Sequence, residues 1–539
     1  MPAYRRIWSA AVVSNVGTFL QLTAAPWLMN ELTGSPLLVA LVTTALTLPR
    51  LLFTLPAGVL SDAFDRRTLM ISGQLISATA VAVMAMMAFT GSITPAWLLG
   101  LSFVLGTGTA INLPSFQTLV PDLVGPNLRA QAITLNSAAF NVARAVGPSL
   151  GGVLVAAGLT SGAFAANAVS FLAVVAVLLS FPRQQVEGDA GRHLWRAAAT
   201  GVRYARFTQP IRVLLVIAAL FAVTAVSVQA LLPNVVSDDL GLGPSGFGLL
   251  YGAFGAGALA AAFTRDRGRA VFGRRMLPGS IAAFGAMGVV FGLSSWPVVS
   301  ALALAVAGGA WVWTLTTLNA TIQTLAPRWV RGRVVSLYLL AVGLQPLGAV
   351  VSGALAEGVG AGRAVAVACV VTAGLGLVAS RLVLPVLGEI DEPVAPPEDF
   401  SVAPHASRVA GSPVVVATTW QVDPDDLDAF LATLRELRRE RFRTGARRWS
   451  LYRDADRPYR ITEMFTVADW DEHLAQHGRI DATAATVLTA AQSFDRDGCP
   501  VTRHLVGLDI VDIDREQIDA QLLTVHSKAH RRDGSVPLQ

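Results

Sequence analysis

The sequence predicts an all-α membrane protein of twelve spanning helices in two six-helix halves, followed by a small α+β domain. Three observations lead there. Of 539 residues, 53% are hydrophobic and 14% charged, with a mean hydropathy of +0.54, whereas soluble proteins carry about 25% charge. Apolar stretches of about 18 residues or more, enough to cross a bilayer, recur as far as residue 387. From about residue 388 onward charge becomes dense and the long apolar runs stop.

The expected spans are 7–31, 37–61, 68–90, 96–120, 130–157, 162–182, 209–233, 245–264, 276–294, 297–326, 333–357 and 362–387. Pro49 and Pro56 in the second and Pro346 in the eleventh are tolerated in membrane helices, so each span is expected unbroken. The first run is long and lacks a small-residue cleavage site, and reads as a retained helix. The expected division is 1–182 and 209–387 for the halves, 183–208 for a charged, partly helical interfacial bridge, 388–411 for a Pro-rich linker, 412–513 for the α+β domain and 514–539 for a tail.

Twenty arginines, from Arg5 and Arg6 to Arg381, fall in one alternate set of loops and span ends, against Arg363 alone in the other. The positive-inside rule then places both termini in the cytoplasm of a cell-membrane protein. The same dispersal argues against nucleic acid as the partner, although the pI is near 9.7. Cys369 and Cys499 make neither a disulfide framework nor a metal cluster.

The halves repeat one another. LRAQAITLN (128–136) returns as VRGRVVSLY (330–338), an offset that also carries Gly151 onto Gly353, and Asn112 and Gln117 in span 4 correspond to Asn319 and Gln323 in span 10. Repeated halves with a site at their junction are the architecture of alternating-access carriers.

Two stretches carry most of the chemistry. In GVLSDAFDRRTL (58–69), Gly58 allows close helix approach, while Arg66 and Arg67 can pair with Asp62 or with helix C-terminal carbonyls. Such a cluster either latches one face or obeys topology alone. In NVARAVGPSLGG (141–152), Gly147, Gly151 and Gly152 permit close packing and Pro148 removes a backbone hydrogen bond. Arg144 shares a helical stripe with Ser137, Asn141, Pro148 and Gly151. A lipid-facing arginine is costly, so Arg144 is expected to face the bundle or a cavity. There it binds an anionic group, modulates a proton site, or only hydrogen-bonds neighbouring carbonyls; the sequence leaves these open.

Gly58, Asp62 and the Arg66–Arg67 pair resemble the loop 2–3 signature of the major facilitator superfamily. The stretches 14–41, 55–69, 135–152 and 441–454 look like the transmembrane secretion effector family, a branch related to the enterobactin exporter. The resemblance implies the major facilitator fold and a proton-driven exporter of siderophores or drugs. Asp65 stands where the superfamily usually has Gly, and Ala143 replaces the first glycine of its antiporter-associated span 5 motif. Arg50 follows a proline where the family pattern has an apolar residue; it either tunes substrate charge preference or snorkels.

The resembled fold lines its central cavity with spans 1, 4, 7 and 10, making Asn15, Gln21, Asn112, Gln117, Gln229, Asn319, Gln323 and Trp311 cavity candidates beside Arg50 and Asn141. Neutral amides with aromatic surface suit a mid-sized amphipathic molecule, although each amide could instead knit helices together. No Asp or Glu falls near the middle of a span; Glu31 and Glu357 near the outer face, or Asp62 at the inner one, are the candidates for proton coupling, unless the substrate itself carries the proton.

The last domain reads strand (414–422), helix from an Asp423 cap, strand, strand, helix (470–491) and strand, the βαββαβ order of a ferredoxin-like fold. It is similar to small dimeric modules of the antibiotic-biosynthesis monooxygenase type, so a dimerising surface is expected. His473 and His477, with Glu463 and His504 on strands, lack a metalloprotease glutamate and read as a solvated face rather than a metal site. No catalytic acid, base or cofactor loop is marked. The expected function is therefore a proton-coupled exporter, not an enzyme, without cofactor or metal. The alternatives are an importer of the same fold, or a carrier whose tail domain is an oxygenase.

Overall fold

The computed structural model describes residues 2–63, 65–122, 124, 128–180, 194–327, 329–382, 412–498 and 500–507. The linker, the tail and Cys499 lie outside the described residues, as do Arg328 and the side-chain surroundings of Gly58, Asp62, Gln117 and Ser137. The chain divides into two units, residues 1–202 with 209–389, and residues 203–208 with 390–539.

The first unit is a helical bundle. Its first half comprises α1 (Pro2–Thr33), α2 (Pro36–Ala63), α3 (Arg66–Phe89), α4 (Pro95–Asp122), α5 (Arg129–Ala156) and α6 (Thr160–Leu179). After α7 (Leu194–Phe207), the second half comprises α8 (Gln209–Ala230) with the short α9 (Leu232–Asn234), α10 (Pro244–Phe272), α11 (Met276–Leu293), α12 (Pro297–Leu325), α13 (Arg331–Val342) with α14 (Gln345–Val359), and α15 (Ala361–Arg381). Ten helical stretches among the described residues are long and apolar enough to span a membrane, one of them holding both α10 and α11. Helices suit this setting because all their backbone bonds close internally, leaving no unmet donor facing lipid.

Two spans depart from expectation. The eleventh is broken rather than continuous: the chain turns at Gly343–Leu344 between α13 and α14, with Leu344 N donating to Ala341 O. Pro346 has no N–H to carry the helix ladder back across this point. The seventh runs past its expected end at 233, through α9 and a π-helical turn at Val235–Asp239, a local widening of the ladder of the kind found at functional sites.

The second unit holds a four-stranded antiparallel sheet of β1 (Val414–Gln421), β2 (Arg448–Arg453), β3 (Arg460–Val467) and β4 (Val501–Val506), in the order β2-β3-β1-β4. With α16 (Leu427–Thr444), α17 (Trp470–His477) and α18 (Ala482–Gln492), this is the ferredoxin-like arrangement. Alternation along β1 and β3 buries one face of the sheet: Trp420 and Ile461 pack with Phe430, Leu434 and Leu437 of α16, while Val414, Val416, Phe465 and Val467 pack with Ala446 and Trp470. The second helix is two helices, because Gly478 closes α17 and the side chain of Asp481 accepts from Ala484 N to cap α18. Residues 203–208 belong to this unit: Arg203 donates to Gly445 O at 2.9 Å and Phe207 stacks on Phe442 at 4.8 Å.

Candidate functional site: a two-sided cavity and its seal

Helices of both halves contribute to one cavity of about 280 Å³. Gln21 of α1, Arg50 of α2 and Arg144 of α5 line it from the first half, and Gln229 of α8, Tyr251 of α10 and Trp311 of α12 from the second. Arg50 is exposed and Arg144 half-buried although both sit inside long apolar helices. Facing the cavity spares each guanidinium the cost of contact with lipid. The Arg144 guanidinium lies 4.9 Å from the Phe140 ring centroid and 6.0 Å from that of Phe19, within the range of a cation–π contact. Trp311 is held by Phe221, Phe284 and Phe254 at 5.3, 5.7 and 6.4 Å. Gln21 is 1% exposed; its Nε2 donates to Met84 Sδ at 3.1 Å, and its buried Oε1 has no hydrogen-bond partner among the described residues.

The small residues of α5 have two different neighbours. A Cβ on Gly147 would meet Phe19 Cβ at 2.5 Å, and one on Gly151 would meet Thr23 and Leu20 at 3.0 and 3.3 Å, so these two seat α5 on α1 within its own half. Gly152 instead meets Gly248 of α10, across the halves. Below it, Gly252 faces Ser149 and Gly255 faces the Arg144 backbone. Ala143 is fully buried. Gly248, Gly252 and Gly255 were missed in the sequence, yet their spacing of four and three is a small-residue stripe that signals close packing.

Past the cavity, at the end of the bundle where α1 turns into α2, polar bonds join the halves. Asn234 donates to Asn30 Oδ1 at 2.7 Å, and Asn30 donates to Ser237 Oγ at 3.0 Å. Glu357 of α14 accepts from Ser35 Oγ and, at 3.1 Å, from Leu37 N, satisfying donors at the start of α2. Glu31 accepts from Trp27 Nε1 at 2.6 Å within α1. Deeper in, Thr44 donates to Pro346 O at 3.3 Å.

In the loop between α2 and α3, Asp65 caps α3, accepting from Thr68 N and Oγ1 at 3.1 and 2.7 Å, which accounts for Asp where Gly is usual. Arg67 donates to Leu178 O and Leu179 O at 2.8 and 3.0 Å. Of the two pairings open to it, helix C-terminal carbonyls are the one formed. Arg66 is half-buried beside it.

Other candidates lie elsewhere. Asn112 abuts Gly73 of α3, and Gln323 donates to Asn319 Oδ1 at 3.0 Å. Asn15 and Asn141 are half-buried and are not among the cavity's lining residues.

In the second unit the histidines correct the sequence reading of a solvated face. His473 is 1% exposed, with ring centroids 5.4 Å from Trp470, 4.8 Å from His477 and 4.7 Å from His504. Burial, then His477 and His504, pushes the His473 pKa down to about 3; burial, then Arg441, pushes that of His477 to about 4. Nearby, Glu463 is fully buried, accepting from Arg441 Nε and Nη2 at 3.2 Å each and from Trp449 Nε1 at 2.7 Å.

A bundle of two six-helix halves closing over a shared cavity defines a membrane transporter of the major facilitator fold. Solved structures agree. A bacterial homologue of the human lysosomal transporter Spinster, inward-facing and unoccupied, matches with a TM-score of 0.56 at 17% identity, covering 71% of this chain and 98% of its own. The nucleoside transporter NupG matches with a TM-score of 0.57 at 14% identity, covering 70% and 98%. The chain belongs to the transmembrane secretion effector family, which it matches over residues 1–510. It is 28% identical to the multidrug efflux pump Tap of Mycolicibacterium fortuitum, over 65% of this chain and 88% of the pump. It is 22% identical to the staphyloferrin A transporter of Staphylococcus aureus, over 65% and 88%. The family and these relatives are transporters rather than enzymes.

Proposed function

We propose that the protein exports a small amphipathic molecule, such as a siderophore, drug or secondary metabolite, across the cell membrane by alternating access, in exchange for protons. The observation that carries this reading is the cavity lined by both halves beneath a seam that joins them. With the termini in the cytoplasm, as the arginine distribution supports, that seam is the outer gate. Opening it means breaking the Asn30–Asn234 and Ser35–Glu357 contacts and parting Gly152 from Gly248. The names of the efflux relatives favour export over import.

Glu357 is the coupling group favoured here over Glu31, because its carboxylate bridges the halves, and a proton on it would remove an acceptor from the seam. In the second unit, β4 has five of six residues exposed, including Val501 and Leu505, which supports a role as a dimerising edge. The test of transport is uptake by everted membrane vesicles. An inside-acid gradient should drive accumulation, and collapsing it should abolish the signal; uptake confined to right-side-out vesicles would overturn the export reading.

A further inference from the structure

The geometry points to an amphipathic organic anion as the cargo, its charged head held by Arg50 and Arg144 and its body laid against Phe140, Tyr251 and Trp311. The inference rests on reading this cavity as the transport site. Two guanidiniums from different helices, α2 and α5, line one cavity of about 280 Å³, and among the described residues lining it none is Asp or Glu. Two guanidiniums on a cavity whose described lining holds no carboxylate make the field inside it positive, which repels cations and favours an anion. Neither arginine need lack other bonds, because each guanidinium has five N–H donors and can hold a structural contact and a ligand oxygen together. The rest of the lining is aliphatic, aromatic, hydroxyl or amide, including Leu46, Trp311, Thr47 and Gln229. It serves an apolar or hydrogen-bonding body and, among the described residues, holds no carboxylate to pair a cationic head.

The test uses three probes sharing one aromatic body: 1-naphthoate, 1-naphthamide and 1-naphthylmethylammonium. Binding is titrated to the purified full-length protein in detergent, where no gradient exists. Naphthoate is expected to bind roughly tenfold or more tighter than either other probe, the scale of one charge-assisted contact. Arg50→Gln and Arg144→Gln should each erase most of that preference, and an unchanged thermal midpoint of each purified variant certifies the fold. Arg50→Lys and Arg144→Lys should restore part of it. Equal or tighter binding of the amide or the ammonium, absence of naphthoate binding, or an unchanged preference in both glutamine variants would overturn the assignment. Movement is read separately in vesicles. Naphthoate preference without movement leaves the anion site standing and removes the carrier reading; movement of the amide or ammonium without that preference does the reverse.

Discussion

Gly152 of α5 and Gly248 of α10 face one another so closely that a Cβ on the first would lie 2.7 Å from the Cα of the second, and one on the second 2.8 Å from the Cα of the first. No side chain larger than hydrogen fits without parting the helices. Gly152→Val or Gly248→Val should therefore prop the seam, with overpacking costing about 1–3 kcal/mol. Both should lower the thermal midpoint of the purified protein and abolish transport. Gly374→Ala, at a position with nothing within 4 Å, should leave both unchanged.

Asn30 and Asn234 meet across the halves at 2.7 Å. Interhelical bonds of this kind in membranes are worth about 0.6–1.7 kcal/mol, so Asn234→Ala should weaken the seam without unfolding the bundle. A sharper check replaces both with cysteine. The pair Asn30→Cys with Asn234→Cys should cross-link on oxidation and stop transport, and dithiothreitol should restore it. Transport that continues in the oxidised protein would mean that this seam does not open.

Glu463 is fully buried and Arg441 half-buried against it, so removing the carboxylate strands a partly screened charge, at a cost below the roughly 3–5 kcal/mol of a fully buried pair. Glu463→Gln is expected to make the second unit protease-sensitive while the membrane unit stays intact. Arg441→Met added to Glu463→Gln should recover part of the resistance. Limited proteolysis followed by mass spectrometry reads both outcomes.

The histidine cluster sets a pH dependence of known sign. His473 and His477 titrate near 3 and 4 when folded, against an ordinary value of 6.5, so below about pH 6.5 the unfolded chain binds more protons than the folded one. Their contribution is complete above that pH and is lost as pH falls toward 4 and then 3. His504, also lowered by burial, acts in the same direction. The histidine ring signals of His473 and His477 should remain those of neutral imidazole at pH 5 by NMR. His473→Phe should flatten the acid limb of the thermal midpoint for this unit.

Most of the fold was legible because a bilayer leaves so few solutions: an apolar run of sufficient length has to be a helix. The misread places are those where composition stays the same while hydrogen bonding changes. The turn at Gly343–Leu344 and the π-helical turn at Val235–Asp239 sit inside apolar runs that look uninterrupted. Gln21, Arg50, Gln229 and Trp311 attract notice in the sequence as polar or aromatic residues in apolar helices, and they line the cavity; Tyr251, in a glycine-rich run, did not. Amides as a class were less informative, because Asn112 packs on a neighbouring helix and Asn319 bonds within its own. The burial of Glu463 was available from period two, since Ile461, Glu463, Phe465 and Val467 alternate along β3. His473 was misread because the missing metalloprotease glutamate argued only against a metal, not for solvent, whereas Trp470 three residues earlier marks the inward face.

The turn from Gly147 to Gly152 carries a consequence for how this protein can change. Gly147 and Gly151 seat α5 on α1 within one half, while Gly152 closes against α10 of the other; under the proposed alternating access the first contact is kept in every state and the second is undone once per cycle. Hull seam and hatch are thus cut from the same six residues. An added methyl at Gly151 would crowd Thr23 and Leu20, and one at Gly152 would crowd Gly248, so under the proposed cycle robustness and turnover meet at this turn. Stabilising the protein without slowing it requires substitutions elsewhere.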